Sequence, residues 1–277
     1  MKKIAALLCL VLLSAAFVGC ASRELSYGEL TERARLSSQL KRHGNFSCVY
    51  STGVARGNVF VDKQVCIVDM SDTAMVYLPD GRGYLAQRTP EDKYSVLPIV
   101  NLLSPALSDK TGYEMFAAPY ASSTEEIKSQ RIENDLLTVE TSDSLGISWE
   151  YVLDAGTLDM VSMEGRRDGE KVSQEWTNYK YDVETPESKQ ELIDAITAWE
   201  GLSDADTWVL TVVSVDDKGN RKEMPVKLKK GTIAYIAFGQ NCGYSGLYAD
   251  ENGNKPVDIY SALDKQNDAT VYAVYGK

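Results

Sequence analysis

The chain has 277 residues, 40 of them acidic and 29 basic, with one histidine and a net charge of −11. That balance argues against nucleic acid or an anionic lipid surface as the main partner, because no basic excess offsets phosphate charge. The length suits one large or two modest domains. The chain opens on Met1-Lys2-Lys3, then runs apolar or small from Ile4 to Gly19. A charged start and a short apolar body are the marks of a secretory signal. The run falls short of the roughly 20 residues that a helix needs to span a bilayer.

The junction Phe17-Val18-Gly19-Cys20 resembles the lipobox of bacterial lipoproteins, in which small residues precede a cysteine that receives diacylglycerol. Phe17 stands where leucine is usual. The resemblance implies a signal peptide over 1–19, a lipidated tether over 20–25 and a lipid on Cys20. It implies a cell-envelope protein held on the outer side of a membrane. Cleavage before Cys20 leaves 258 residues and, without Lys2 and Lys3, a charge of −13. Several acyl chains on one cysteine anchor stably, at about 0.8 kcal/mol per buried methylene.

Past the tether, Ser26-Tyr27-Gly28-Glu29 has the Ser-x-x-Glu pattern of a capping box. Leu30, Ala34, Leu36 and Leu40 then predict an amphipathic helix over 27–42. From Asn45 to about Asp182 the pattern becomes short strands divided by turns. Strands are expected over 46–52, 59–69, 74–78 and 83–88, with a turn at Pro79-Asp80-Gly81-Arg82. The stretch Val96 to Leu103 is apolar without alternation, which favours a short helix or lid over a strand. Its apolar residues Leu97, Ile99, Val100, Leu102 and Leu103, with Leu107, cannot all face one core from a single short helix. They either form a core helix or cover an apolar cavity as a ligand lid. Further strands are expected over 127–133, 136–141, 147–154, 158–166 and 171–181, and a closing helix over 186–200.

This order, an N-terminal helix and a long antiparallel meander interrupted by an apolar insertion, resembles the LolA/LppX-like fold. Tyr151-Val152-Leu153-Asp154-Ala155-Gly156-Thr157-Leu158, then Trp176-Thr177-Asn178-Tyr179 and Pro186, carry the resemblance. It covers residues 26–200 and implies an open half-barrel whose concave face is packed by helices and can hold a lipid or acyl chain.

Gly201-Leu202-Ser203-Asp204-Ala205-Asp206 is small and polar, and a second domain over 201–277 is expected to begin there. Within it, Asp216-Asp217-Lys218-Gly219-Asn220, Lys229-Lys230-Gly231, Gly243-Tyr244-Ser245-Gly246-Leu247-Tyr248 and Val271-Tyr272-Ala273-Val274-Tyr275 follow in order. They resemble the Listeria–Bacteroides repeat, the InlB B-repeat module, with Leu247 in place of its usual tryptophan. The resemblance implies a small β-grasp-like unit used as a spacer or contact module on bacterial surfaces. The expected fold class is therefore mainly β with packed helices (α+β), an antiparallel open half-barrel followed by a small β-grasp-like module.

Neither catalytic residues nor a metal or cofactor site is expected. No serine sits in a Gly-x-Ser-x-Gly setting, and no Cys-x-x-Cys pair or His/Asp/Glu cluster has ligand spacing. His43, at the end of the first helix, reads as solvated or as a C-terminal cap. Asp250-Glu251-Asn252-Gly253 reads as a turn. Arg56-Gly57-Asn58 as a three-residue hairpin turn would set Cys48 opposite Cys66, close enough to bridge in an oxidising compartment. The alternative is two buried cysteines that never oxidise. Three functions stay open: a binding protein for a lipid or acyl chain, a surface scaffold contacting an envelope protein or glycan, and an envelope-stress sensor.

Overall fold

A computed structural model describes residues 36–51, 56–91, 93–102, 111–117, 126–142, 147–167, 170–238 and 243–277. Helix α1 (Leu36–Arg42) leads into β1 (Asn45–Ser51) and β2 (Arg56–Asp62). There follow β3 (Cys66–Asp69), β4 (Thr73–Tyr77), β5 (Gly83–Arg88), β6 (Tyr94–Leu102) and the short helix α2 (Gly112–Ala117). A second run comprises β7 (Glu126–Glu133), β8 (Leu136–Ser142), β9 (Ser148–Asp154), β10 (Met160–Arg167) and β11 (Glu170–Tyr181). Helix α3 (Ser188–Glu200) closes it. The C-terminal unit has β12 (Thr207–Val215), β13 (Arg221–Lys229), β14 (Tyr235–Phe238) and β15 (Ala269–Val274).

Twelve strands form one sheet in the order β14-β6-β5-β4-β3-β2-β1-β11-β10-β9-β8-β7, and three form another in the order β13-β12-β15. This corrects the expected α+β class. Strand dominates, and among the described residues the helices are few and short. The difference centres on Val96 to Leu102, which is strand β6, not a helix or lid. Antiparallel β5 lies on one side of it and parallel β14 on the other. Val96, Val100 and Leu102 are buried on one face and Ile99 on the other. A strand covered on both faces has no polar side to show, so its sequence does not alternate.

Phe46, Val59, Val61, Cys66, Val68, Leu137, Val139, Leu153 and Trp176 form a single apolar core. Ile99 of β6 shares this core with Leu137 and Val139 of β8, near the opposite end of the strand order, so the sheet must curl for them to meet. Leu40 of α1 and Tyr113 of α2 join that core. On the outer face, Leu192 and Ile196 of α3 pack against Phe60, Ile67, Val76, Tyr84, Ala86 and Val96. Lys189 fastens the start of α3 to the β2–β3 turn through Asp62 (2.5 Å) and Gln64 (2.8 Å).

The single strand expected over 59–69 is two strands. Asp62 accepts the N–H groups of Gln64 (2.8 Å) and Val65 (3.0 Å), closing a tight turn at 63–65. This changes the register: Cys48 faces Val59 on β2, and Cys66 faces Val61 across β2–β3. The two cysteines are therefore on β1 and β3 with β2 between them and two residues out of register, about 12 Å apart at the usual strand spacing and rise. Both are free and buried, and neither the hairpin register nor the bridge forms.

The polar joint at 201–206 is a turn with a 3₁₀ segment at Asp204–Asp206, but the core does not divide there. β14 crosses back to pair with β6, Tyr235 against Ile99 through Phe238 against Leu102. Val100 and Leu102 share an apolar cluster with Trp208, Leu210, Leu228 and Ile236. The two expected domains are stitched together by a strand and a common core.

Candidate functional site

A cleft of about 860 Å³ opens at the end of the large sheet, where the β4–β5 turn, the second half of β6 and the β13 strand converge. Its size falls in the range of small-ligand pockets. Pro98, Val100 and Leu102 of β6 supply one apolar wall and Met224 and Val226 of β13 another, with Trp199 from the end of α3. The walls stand where they do because β14 holds the C-terminal unit against β6.

One mouth of the cleft is ionic and closed upon itself. Arg82 pairs with Asp80 (2.6 Å) and with Glu200 at the end of α3. Tyr84 donates its hydroxyl to Glu200 (2.6 Å). The hydrogen bond from Arg82 is the main reason that the Asp80 carboxyl sits below its ordinary range. Burial, with Glu200 beside it, raises the Tyr84 phenol. Lys227 closes the same side on Asp204 (2.8 Å) and the Leu202 carbonyl (3.1 Å).

At the other mouth the β12–β13 turn presents Ser214, Asp216, Arg221 and Lys222 to the cleft. Asp216 is occupied by its own turn, accepting the N–H groups of Lys218 (2.9 Å) and Asn220 (2.7 Å) and the Asn220 side-chain amide (2.8 Å). Those bonds, that of the Asn220 side chain foremost, lower its carboxyl below the usual range. Arg221 pairs with Glu251 across the surface.

Of the residues expected to form a lid, Ile99, Val100 and Leu102 line this cleft from a strand, while Leu97 is half-buried and does not line it. Leu103, Leu107, Cys20 and Cys242 lie outside the described residues. Trp199, Met224, Val226 and Lys222 were missed, since no local motif marks them and only the return of β14 brings them to β6. The period-two pattern Lys222, Met224, Val226, Leu228 is the one sequence signal that could have exposed the inward face of β13.

The face of the large sheet expected to hold a ligand is filled by its own side chains at Phe46, Val59, Val61, Val139 and Leu153. Trp176 lies among them with its indole N–H buried and without a hydrogen-bond partner. Both thiols sit in this core, where burial pushes Cys48 up to about 12 and Cys66 well above its ordinary value.

His43 is neither solvated nor a simple cap. Its Nδ1 meets Asp182 (3.0 Å) and its Nε2 meets Asp159 (3.1 Å), while the ring lies 4.3 Å from that of Tyr181. Arg42 also pairs with Asp159 (2.9 Å). Partial burial alone would lower the His43 pKa, but the hydrogen bonds and charges of Asp182 and Asp159 outweigh it and raise it above the ordinary value. The cluster ties the end of α1 to the ends of β10 and β11. Among the described residues no group of three His, Cys, Asp or Glu side chains could hold a metal, and no helix is long and apolar enough to cross a membrane.

No family model matches the sequence, and no curated protein matches it. Among solved structures, the chain is similar to the crystal structure of a LolA superfamily protein from Nitrosomonas europaea, at 8% identity and a TM-score of 0.26. The match covers 60% of this chain and 97% of that one. A likeness of that degree says nothing of what this chain binds.

Proposed function

We propose that this chain is a membrane-anchored lipoprotein of the cell envelope that binds an apolar ligand, a lipid or acyl chain, in the cleft between β6 and β13. The observation that carries the reading is the cleft itself. About 860 Å³ of space is walled in part by Pro98, Val100, Leu102, Met224, Val226 and Trp199 and in part by charged and polar side chains such as Asp80, Arg82, Glu200 and Asp216, a mixed lining that suits a partly apolar small molecule. The anchor reading is supported by the lipobox-like Phe17-Val18-Gly19-Cys20. In this reading the C-terminal unit, whose turns resemble the InlB B-repeat, is one wall of the binding site as well as a surface module.

Two measurements test it. Cys20→Ser should leave the chain uncleaved or released from membranes; a Cys20→Ser protein that is correctly processed and still membrane-bound would refute the anchor. Native mass spectrometry of residues 20–277 carrying Cys20→Ser, produced without residues 1–19 and purified without detergent, should show an excess mass that Met224→Asp removes. A bare protein mass in every preparation, with no apolar probe taken up on addition, would leave the surface-scaffold reading in its place.

A further inference from the structure

The cleft reaches both faces of the large sheet, and it does so where β6 outruns its neighbour. The β5–β6 ladder ends at Tyr84 against Pro98, while β6 continues to Leu102. Val100 and Leu102 border the cleft from the face that packs on the C-terminal unit. Ile99 borders it from the opposite face, where it belongs to the core inside the curled sheet. Gly83, Asn101, Thr111 and Gly112 line the same inner end. A Cβ at Gly83 would stand 3.5 Å from Ile99, and one at Gly112 would stand 3.1 Å from the Asn101 amide. None of these five residues is ionisable. The charged residues of the lining come instead from the β4–β5 turn, the end of α3, the β12–β13 turn and β13.

One ring separates this inner end from the interior of the sheet. Tyr77 faces Gly83 across β4–β5, and residues opposed in register share a side of the sheet. A Cβ at Gly83 would lie 2.8 Å from the Tyr77 ring and one at Gly112 would lie 2.2 Å from it. The ring thus fills the space that side chains at those two positions would take. Asn101, itself part of the lining, hydrogen-bonds the Tyr77 hydroxyl and holds the ring in place. Tyr77 is 1% exposed, and Cys66, which faces it on β3, is wholly buried. Behind the ring the core is full.

From this arrangement we infer that Tyr77 sets the length of the apolar chain that the cleft accepts. The head stays among the charged residues of the outer mouths. The chain runs between Pro98 and Met224, rounds β6 beside Ile99, and ends at the two glycines backed by the Tyr77 ring. The inference rests on the apolar-ligand reading and adds a specificity-determining residue, the direction of the chain and a limit to its length.

Calorimetry on residues 20–277 carrying Cys20→Ser reads that limit. The probes are n-alkyl maltosides of eight, ten, twelve and fourteen carbons, each below its micelle concentration. Every added carbon that becomes buried should tighten binding about fourfold, until the methyl end meets the ring and the gain stops. Tyr77→Leu should carry the gain at least one two-carbon step further, roughly fifteenfold at that step. Tyr77→Phe keeps the ring without the hydroxyl and should keep the original limit. A gain unbroken to fourteen carbons with Tyr77 in place, or the same limit in a folded Tyr77→Leu protein, overturns Tyr77 as the stop and leaves the apolar-ligand reading standing. No binding at any length overturns both. Because Tyr77 is a core residue, a second measurement decides the matter if Tyr77→Leu does not fold. A decyl maltoside with a diazirine on its last carbon, photolysed on the chain with Tyr77 intact, should insert at Ile99, Asn101, Thr111 or Gly112. Insertion at Trp199, Met224 or Val226 instead overturns the inference.

Discussion

Leu102→Ala is the sharpest test of the shared core. Leu102 is 1% exposed and belongs to the cluster that holds Trp208, Leu210, Leu228 and Ile236. Removing its three terminal carbons loses roughly 2.4 kcal/mol of transfer free energy, at about 0.8 kcal/mol per carbon. The void left behind brings such changes to about 2–5 kcal/mol. Because Leu102 borders the cleft, its neighbours can relax toward open space, which keeps the cost near 3 kcal/mol. For a chain of this size that is a fall in Tm of about 6–12 °C. Thermal unfolding should be followed by far-UV circular dichroism and by fluorescence in variants that keep only Trp208 or only Trp176. Since Leu102 belongs to the large sheet and its partners to the C-terminal unit, both signals should move together. Two transitions of which only one shifts, or a fragment 201–277 that folds alone with undiminished stability, would refute the common core.

Other expectations follow from particular contacts. Because the folded His43 pKa is raised, its contribution is complete below the unfolded value near 6.5 and is lost as pH rises through the folded value. The gap in Tm between the natural chain and His43→Ala should therefore be wider near pH 5.5 than near pH 8.5; a constant gap would show that the Asp159 and Asp182 contacts act only through packing. Cys48 and Cys66 should resist iodoacetamide in the folded protein and react on unfolding, with no bridged peptide in a non-reducing digest. A Cys48–Cys66 peptide would contradict the observed register. Gly112→Ala would put a Cβ 2.2 Å from the Tyr77 ring, so urea unfolding should show a loss of about 1–3 kcal/mol; a change under about 0.5 kcal/mol would mean that Tyr77 yields freely.

Much of the strand pattern was legible because antiparallel strands with one buried face alternate in sequence. The elements around 83–88, 136–142, 148–154 and 170–181 fall where the turns and alternation place them. The closing helix was legible from the spacing of Leu192 and Ile196, both buried in α3. Two local misreadings had large effects. The turn at 63–65 is made by the Asp62 side chain, without glycine or proline to mark it, and missing it shifted the register that had paired the cysteines. The stretch 96–102 lacks alternation because both its faces are covered, which sequence alone does not separate from a helix. The cleft was half legible. Ile99, Val100 and Leu102 stood out as an apolar run that needed explaining, but their partners are far along the chain, and no periodicity reports a parallel pairing between distant segments.

That pairing also bears on how the chain reaches its final form. β6 is complete by residue 102, whereas the strand that covers its outer edge begins at Tyr235. During synthesis the first eleven strands can assemble while one border of the sheet still shows unpaired N–H and C=O groups beside apolar side chains. A bare, apolar border invites pairing with other molecules. Closing it demands a contact between remote segments, the slowest kind to form. The chain should be most vulnerable to aggregation and to exchange of β14 between neighbours in that interval, and least so once the C-terminal unit has docked.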